Sequence, residues 1–207
     1  MALIPNTFNG QVLKTVFSFA YNFALRSGEY TIPGRKTNTK TLKISNVYIF
    51  TSNNRNYIQL SLTFGKTNRF NKNEILTVEC TCTLNLKIIC PYHNYLYLIK
   101  FYQLHNMYSD DAYLFRWKNN HVISHYLISK YLFKLLFLLG IKRSPRIKLH
   151  GIRFGRITDL RVSGLPRWLI EKLARHSPNS RMTYYYTRLS STEEAQFMTS
   201  YIKKYFK

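Results

Sequence analysis

The chain has 207 residues, enough to bury a core of its own, and its 45% hydrophobic content excludes a disordered tail. Its 31 Lys and Arg against 9 Asp and Glu leave a formal charge of +22, and self-repulsion of that size is relieved by a polyanionic partner. The longest apolar candidate, 131–139, contains Lys134 and falls short of the ~18 residues of a membrane span, so nucleic acid is the expected partner and no membrane is.

Taken in chain order, Val12, Val16, Phe19 and Phe23 recur at helical intervals and predict a helix over 10–25. It is expected to stop at Arg26-Ser27-Gly28, with Gly28 as the left-handed cap, before a Pro33-Gly34 turn. The pattern then changes to short β-rich runs at 42–47, 48–50, 57–64 and 74–80, separated by polar turns at 52–56 and 68–73. These read as an antiparallel sheet of about three strands.

Cys80, Cys82 and Cys90 are odd in number and clustered, which argues against a disulfide scaffold and for a reducing, intracellular compartment. The Met-Ala-Leu-Ile-Pro start has neither the charge nor the apolar run of a signal peptide. With His93, the three cysteines give an irregular CxC…CxxH spacing that matches none of the usual zinc patterns. The four residues can be drawn as a metal site, but the expectation is small buried or half-exposed thiols and no metal.

After Cys90-Pro91, Tyr95, Leu98, Ile99 and Tyr102 share a helical face, and Asp110-Asp111 ends that run before an extended piece at 113–116. Ser124 is placed to cap a helix over 125–139, stopped by Gly140, and a basic loop follows over 142–148. Further helices are predicted over 150–162, 166–174 and 179–188. A last one starts near Thr192, with Ala195, Met198, Ile202 and Tyr205 as its stripe. The expected fold is mixed α+β, mainly helical with a small three-stranded antiparallel sheet, in a single domain over 1–207.

The polar residues on these elements suit phosphodiester chemistry. A phosphodiester is already anionic, and its five-coordinate transition state concentrates more charge on the nonbridging oxygens. Fixed guanidinium and imidazole donors aimed there stabilise the transition state preferentially. A phenol needs its proton removed or its oxyanion stabilised before it attacks, and the departing oxygen needs a proton, which a lysine can deliver. His150 and Arg153 stand three apart, on one face of their helix. They continue through Phe154-Gly155-Arg156-Ile157-Thr158-Asp159-Leu160 to Gly164-Leu165-Pro166.

This stretch resembles the extended HxxR motif of the tyrosine recombinases, or phage-type integrases, with Gly151 where that family usually has serine and Ile157 where it usually has alanine. Leu25-Arg26-Ser27-Gly28-Glu29 is similar to the family's first catalytic arginine and its supporting acid. The resemblance implies Arg26, His150 and Arg153 as catalytic residues, with Glu29 in support. It implies Lys66, in Gly65-Lys66-Thr67, as the hairpin lysine that protonates the leaving oxygen, with Arg69 and Lys72 as nearby competitors. His176, in Leu173-Ala174-Arg175-His176, corresponds to the family's second histidine. Tyr185 lies at the usual interval from it. Tyr186, followed by Thr187-Arg188, and Tyr184 are the alternative nucleophiles.

The resemblance implies a site-specific recombinase or integrase of a mobile element or virus, breaking and rejoining double-stranded DNA through a 3′-phosphotyrosyl bond. It implies a tetramer on DNA, no cofactor and no metal. The family's N-terminal core-binding domain is expected to be absent, because nothing before Arg26 is long enough to form it. Two other readings stand beside this one: an inactive remnant kept as a DNA-binding module, and a basic RNA-binding protein that stacks bases on exposed tyrosines.

Overall fold

The computed structural model describes residues 3–32, 41–62, 74–80, 82, 89–142 and 147–175. The first helix, α1 (Phe8–Asn22), begins where the Thr7 side chain accepts the Gly10 N–H at 3.1 Å, which satisfies one of the open donors of the first turn. Its predicted stripe faces inward. Val12, Val16, Phe19 and Ala20 are completely enclosed and form the centre of the main core. Phe115 meets Phe19 edge-on at 5.6 Å, an arrangement that aromatic quadrupoles favour.

The sheet is a meander in the order β1-β2-β3, built from β1 (Val47–Ser52), β2 (Arg55–Leu62) and β3 (Glu74–Glu79). Its antiparallel register sets Val47 opposite Leu60 and Leu60 opposite Leu76, so the alternate residues Ile58, Leu60 and Leu62 fall on the buried face. Asn53 and Asn54 both take positive φ (48° and 58°) between β1 and β2, the geometry that a two-residue hairpin turn demands. The strand expected over 42–47 is instead a 3-10 turn at Ile44–Asn46. There the Ile44 and Ser45 N–H groups bond the carbonyls of Ala112 and Asp110, both at 2.9 Å, so this segment pairs with a loop and not with a neighbouring strand.

Helix α3 (Pro91–Leu104) packs along α1 and over β2, burying Tyr95, Leu98 and Tyr102 as its periodicity indicates. Helix α4 (His125–Leu138) is capped by Ser124, whose hydroxyl accepts the Leu127 N–H at 3.3 Å. Helix α5 (His150–Val162) lies against α1, and α6 (Arg167–Leu173) closes onto α5 through a second, smaller core of Ile157, Leu160, Ile170 and Ala174. The helices expected over 179–188 and from Thr192 onward lie outside the described residues. Among the described residues, no helix is long and apolar enough to cross a membrane.

The first helix ends earlier than its sequence indicates. It stops at Asn22, the left-handed residue is Ala24, and Gly28 sits inside the short helix α2 (Ser27–Tyr30). This displacement positions the site.

Candidate functional site

Five helices end in a residue with left-handed backbone: Ala24 after α1, Asn106 after α3, Gly140 after α4, Gly164 after α5 and Arg175 after α6. At the first four, the next N–H reaches back across the turn, from Leu25 to Ala20 (3.0 Å), Met107 to Tyr102 (2.8 Å), Ile141 to Leu136 (2.9 Å) and Leu165 to Leu160 (3.1 Å). Glycine and asparagine accept this conformation readily, whereas a residue such as alanine or arginine loses about 1–2 kcal/mol in it. The two unfavourable cases, Ala24 and Arg175, meet in space.

Turned by its left-handed backbone, the Ala24 carbonyl accepts hydrogen bonds from Arg153 Nη1 and from Arg175 Nη2, the latter at 3.1 Å. Arg153 Nη2 also donates to the Ala174 carbonyl, so an arginine only 1% exposed ties the end of α1 to the end of α6. Glu29, itself buried, accepts a two-pronged pair from Arg175, Nη1 to Oε1 at 2.7 Å and Nη2 to Oε2 at 2.9 Å. The same carboxylate takes the Arg26 backbone N–H at 2.7 Å and Arg26 Nη1 at 3.4 Å, while Arg26 Nη2 donates to the Arg175 carbonyl at 3.2 Å. His150 stands one turn before Arg153 at the solvent-facing start of α5. Partial burial of its ring, and then the charges of Arg153 and Arg26, hold its pKa below the ordinary histidine value. The imidazole is therefore neutral at neutral pH, able to donate one hydrogen bond without adding charge.

Four residues singled out in the sequence, Arg26, Glu29, His150 and Arg153, are brought together. Lys66, His176, Tyr184, Tyr185 and Tyr186 lie outside the described residues. The described residues that adjoin those segments are at the cluster: Glu74, the first residue of β3 after 63–73, has Oε2 3.9 Å from Arg175 Nε, and Arg175 immediately precedes His176. Sequence reasoning missed Arg175. It had paired Glu29 with Arg26, whereas the short bidentate pairing belongs to Arg175, 146 residues away in the chain. The one available signal was the scarcity of acids. With 9 of them in 207 residues, a buried carboxylate collects more than one cation.

The charge balance of the cluster points outward. Three guanidiniums, those of Arg153 and Arg175 nearly enclosed, gather with two carboxylates: Glu29 is shared by Arg26 and Arg175, Glu74 stands 3.9 Å from Arg175, and Arg153 joins through the Ala24 carbonyl. Buried positive charge in excess of its counter-charge is costly, and an anion lying against Arg26 and His150 would offset it.

A second cluster has different chemistry. The thiols of Cys80, Cys82 and Cys90, expected to be simple buried or half-exposed thiols, converge with the His93 ring where the end of β3 meets the start of α3. These four side chains are the group among the described residues able to hold a metal ion.

No protein-family model matches this chain, and no curated protein does. Solved structures do. The XerH site-specific recombinase bound to palindromic difH substrate in a post-cleavage complex aligns over 94% of this chain and 47% of its own, at 15% identity and a TM-score of 0.66. The XerA recombinase aligns over 95% of this chain and 62% of its own, at 16% identity and a TM-score of 0.61. The Tn1549 transposon integrase in complex with transposon right end DNA aligns over the whole of this chain and 62% of its own, at 15% identity and a TM-score of 0.54. The chain thus spans from 47% to 62% of the length of these structures. Helices surrounding one three-stranded antiparallel sheet form the fold of tyrosine recombinase catalytic domains, as the sequence indicates.

Proposed function

We propose that this chain is a site-specific DNA recombinase or integrase that cuts and rejoins double-stranded DNA through a 3′-phosphotyrosyl bond. The observation that carries the reading is the guanidinium cluster, in which Arg26 and Arg153 are held by Glu29, Arg175 and two backbone carbonyls next to His150. Fixed donors of this kind need no reorganisation when charge develops on a phosphate. Arg26 and Arg153 hold the nonbridging oxygens, neutral His150 donates a further hydrogen bond, and Glu29 with Arg175 keep Arg26 oriented.

In this mechanism the phenol oxygen of Tyr185, with Tyr186 or Tyr184 as alternatives, attacks phosphorus. The Tyr–O–P bond forms, the phenolic proton passes to solvent water, the P–O5′ bond breaks with its electron pair on the 5′-oxygen, and Lys66 delivers a proton to that departing oxygen. Attack by a 5′-hydroxyl of another strand reverses each step. Bond energy is conserved in the phosphotyrosine, so no nucleotide is consumed. The charge of +22 and the DNA complex of the Tn1549 integrase support duplex DNA as the partner, and we propose that a tetramer of this chain binds it. The second reading, an inactive DNA-binding module, is favoured by Arg153 giving both terminal nitrogens to carbonyls.

One experiment separates the two. Nicked suicide duplexes drawn from a random-sequence pool trap a covalent protein–DNA adduct if the enzyme reading holds. The adduct is lost in a Tyr184/Tyr185/Tyr186→Phe triple variant and then assigned by single variants. Replacing Arg26 with Ala lowers its rate of formation by about 10²–10³, the usual effect of losing one transition-state donor. Salt-sensitive duplex binding with no adduct, unchanged by the tyrosine substitutions, overturns the enzyme and leaves the binding module.

A further inference from the structure

We propose that Cys80, Cys82, Cys90 and His93 bind one zinc ion, in a closed four-ligand site that joins the sheet to α3. The four ligand atoms all lie within 4.8 Å of one another. Cys80 Sγ is 3.6 Å from Cys90 Sγ, and His93 Nδ1 is 3.4 Å, 2.9 Å and 3.6 Å from the sulfurs of Cys80, Cys82 and Cys90. A zinc ion with Zn–S near 2.3 Å and Zn–N near 2.05 Å sets tetrahedral edges of about 3.8 Å between sulfurs and about 3.5 Å between sulfur and nitrogen. Of the six edges, three of these four fall within about 0.2 Å of those values, Cys82 must withdraw from the ring by about 0.6 Å, and its two edges to the other sulfurs are bounded by 4.8 Å. A disulfide explains the cluster less well. All three cysteines are free, a disulfide needs sulfurs about 2.05 Å apart, and it would employ neither the third thiol nor the imidazole.

The ligands are fixed by elements on both sides. Cys80 directly follows β3, and its N–H is pinned to the Asn56 carbonyl on β2 at 2.8 Å. Cys90 caps α3, Pro91 opens the helix, and His93 follows three residues after Cys90, which puts both ligands on one side of the first turn. The residue before Cys90 is held in turn by α1, since the Ile89 carbonyl accepts from Ser18 Oγ at 2.6 Å and from Asn22 Nδ2 at 2.9 Å. Three thiolates and one imidazole in a tetrahedron select a soft-accepting ion without geometric preference, which is zinc. With all four positions filled by protein the site is structural, and it clips β3 to the start of α3 independently of any recombinase activity.

The full-length chain, purified under reducing conditions, is expected to carry one zinc per chain by elemental analysis. Replacing the zinc with cobalt(II) should produce thiolate-to-cobalt charge transfer and the intense visible bands of a tetrahedral ion. All three thiols should become reactive to a disulfide reagent only after chelation. Cys82→Ser and His93→Gln should lower retained metal and thermal midpoint together, whereas His93→Cys should keep the metal with a red-shifted cobalt spectrum. If the serine variant fails to fold, the cobalt spectrum and thiol titration of the unmodified chain still decide. Zinc at background level, cobalt remaining octahedral, thiols equally reactive with and without chelator, or iron and sulfide in place of zinc would each overturn the proposal.

Discussion

The two clusters of chemistry-bearing side chains are built by opposite means. The guanidinium cluster draws Arg26, Glu29, Glu74, Arg153 and Arg175 from four remote parts of the chain, and it bends backbone to do so, with Ala24 and Arg175 both left-handed. The thiol–imidazole cluster comes from the single stretch 80–93, with a strand end and a helix start in ordinary conformations. The first holds an excess of positive charge and strained residues, the signature of a site completed by an anion. The second holds thiols that become anionic on metal binding and is completed by a cation. Strain and charge imbalance together support the first as the site of the proposed function, whereas convergence without strain suits the second as a staple.

The largest effect that probes this comparison is at Glu29. Glu29→Gln removes the one buried negative charge between Arg175 and Arg26, and a buried pair broken on one side costs about 3–5 kcal/mol. Urea denaturation should show that loss, while the cobalt spectrum of the thiol cluster in the folded variant stays unchanged. A loss below about 1 kcal/mol, the range of an exposed pair, would mean that Glu29 is not the hub of the cluster.

What the sequence disclosed of the two regions follows the same division. His150 and Arg153 were legible because three-residue spacing on an amphipathic helix is local information, and the bounds of α5 match the reading. Arg26 and Glu29 were legible through the resemblance of Leu25-Arg26-Ser27-Gly28-Glu29 to a family motif, although Arg26 precedes the short helix α2 and does not end α1. Arg175 was not, since nothing in the periodicity around 167–175 signals a carboxylate 146 residues away. The cap after α1 was assigned to Gly28 on intrinsic preference. Tertiary contacts override that preference, because two arginines hold the Ala24 carbonyl and the helix turns earlier. The thiol cluster was illegible for a third reason. Its irregular spacing becomes a tetrahedron only after β3 pairs with β2 and α1 fixes Ile89, and both are long-range events.

The left-handed caps permit a smaller test. Gly140 has φ 72° with open space around a built Cβ, so Gly140→Ala should cost about 1 kcal/mol through backbone conformation alone. Ala24→Gly should differ. Relief of the left-handed alanine gains about 1 kcal/mol, and the added freedom of glycine in the unfolded chain offsets ~0.5–1 kcal/mol of it. Thermal unfolding should therefore find Ala24→Gly within about 0.5 kcal/mol of the parent chain and Gly140→Ala clearly below it. A full kcal/mol lost at Ala24 as well would show that its buried methyl matters to the site by packing, and that the strained backbone is not the determining feature.

The smallest expected effect is a pH slope at His150, because its ring is open to solvent on one side. Its folded-state pKa lies below the unfolded value of about 6.5, chiefly through desolvation and then through Arg153 and Arg26. Above that value both states are neutral and His150 contributes no pH dependence. As pH falls through about 6.5 the unfolded chain takes up a proton that the folded chain refuses, so stability declines until the folded pKa is passed. His150→Gln should remove this component, leaving a flatter stability profile between neutrality and mild acid, measured by denaturation at matched ionic strength. An anion bound against Arg26 and Arg153 would offset the contribution of those charges, the smaller cause of the shift, so the same profile with a saturating duplex should show a shallower acid-side decline. Parallel profiles for the two proteins, with and without duplex, would remove His150 from the charge field of the guanidinium cluster and reduce that cluster to a purely structural device.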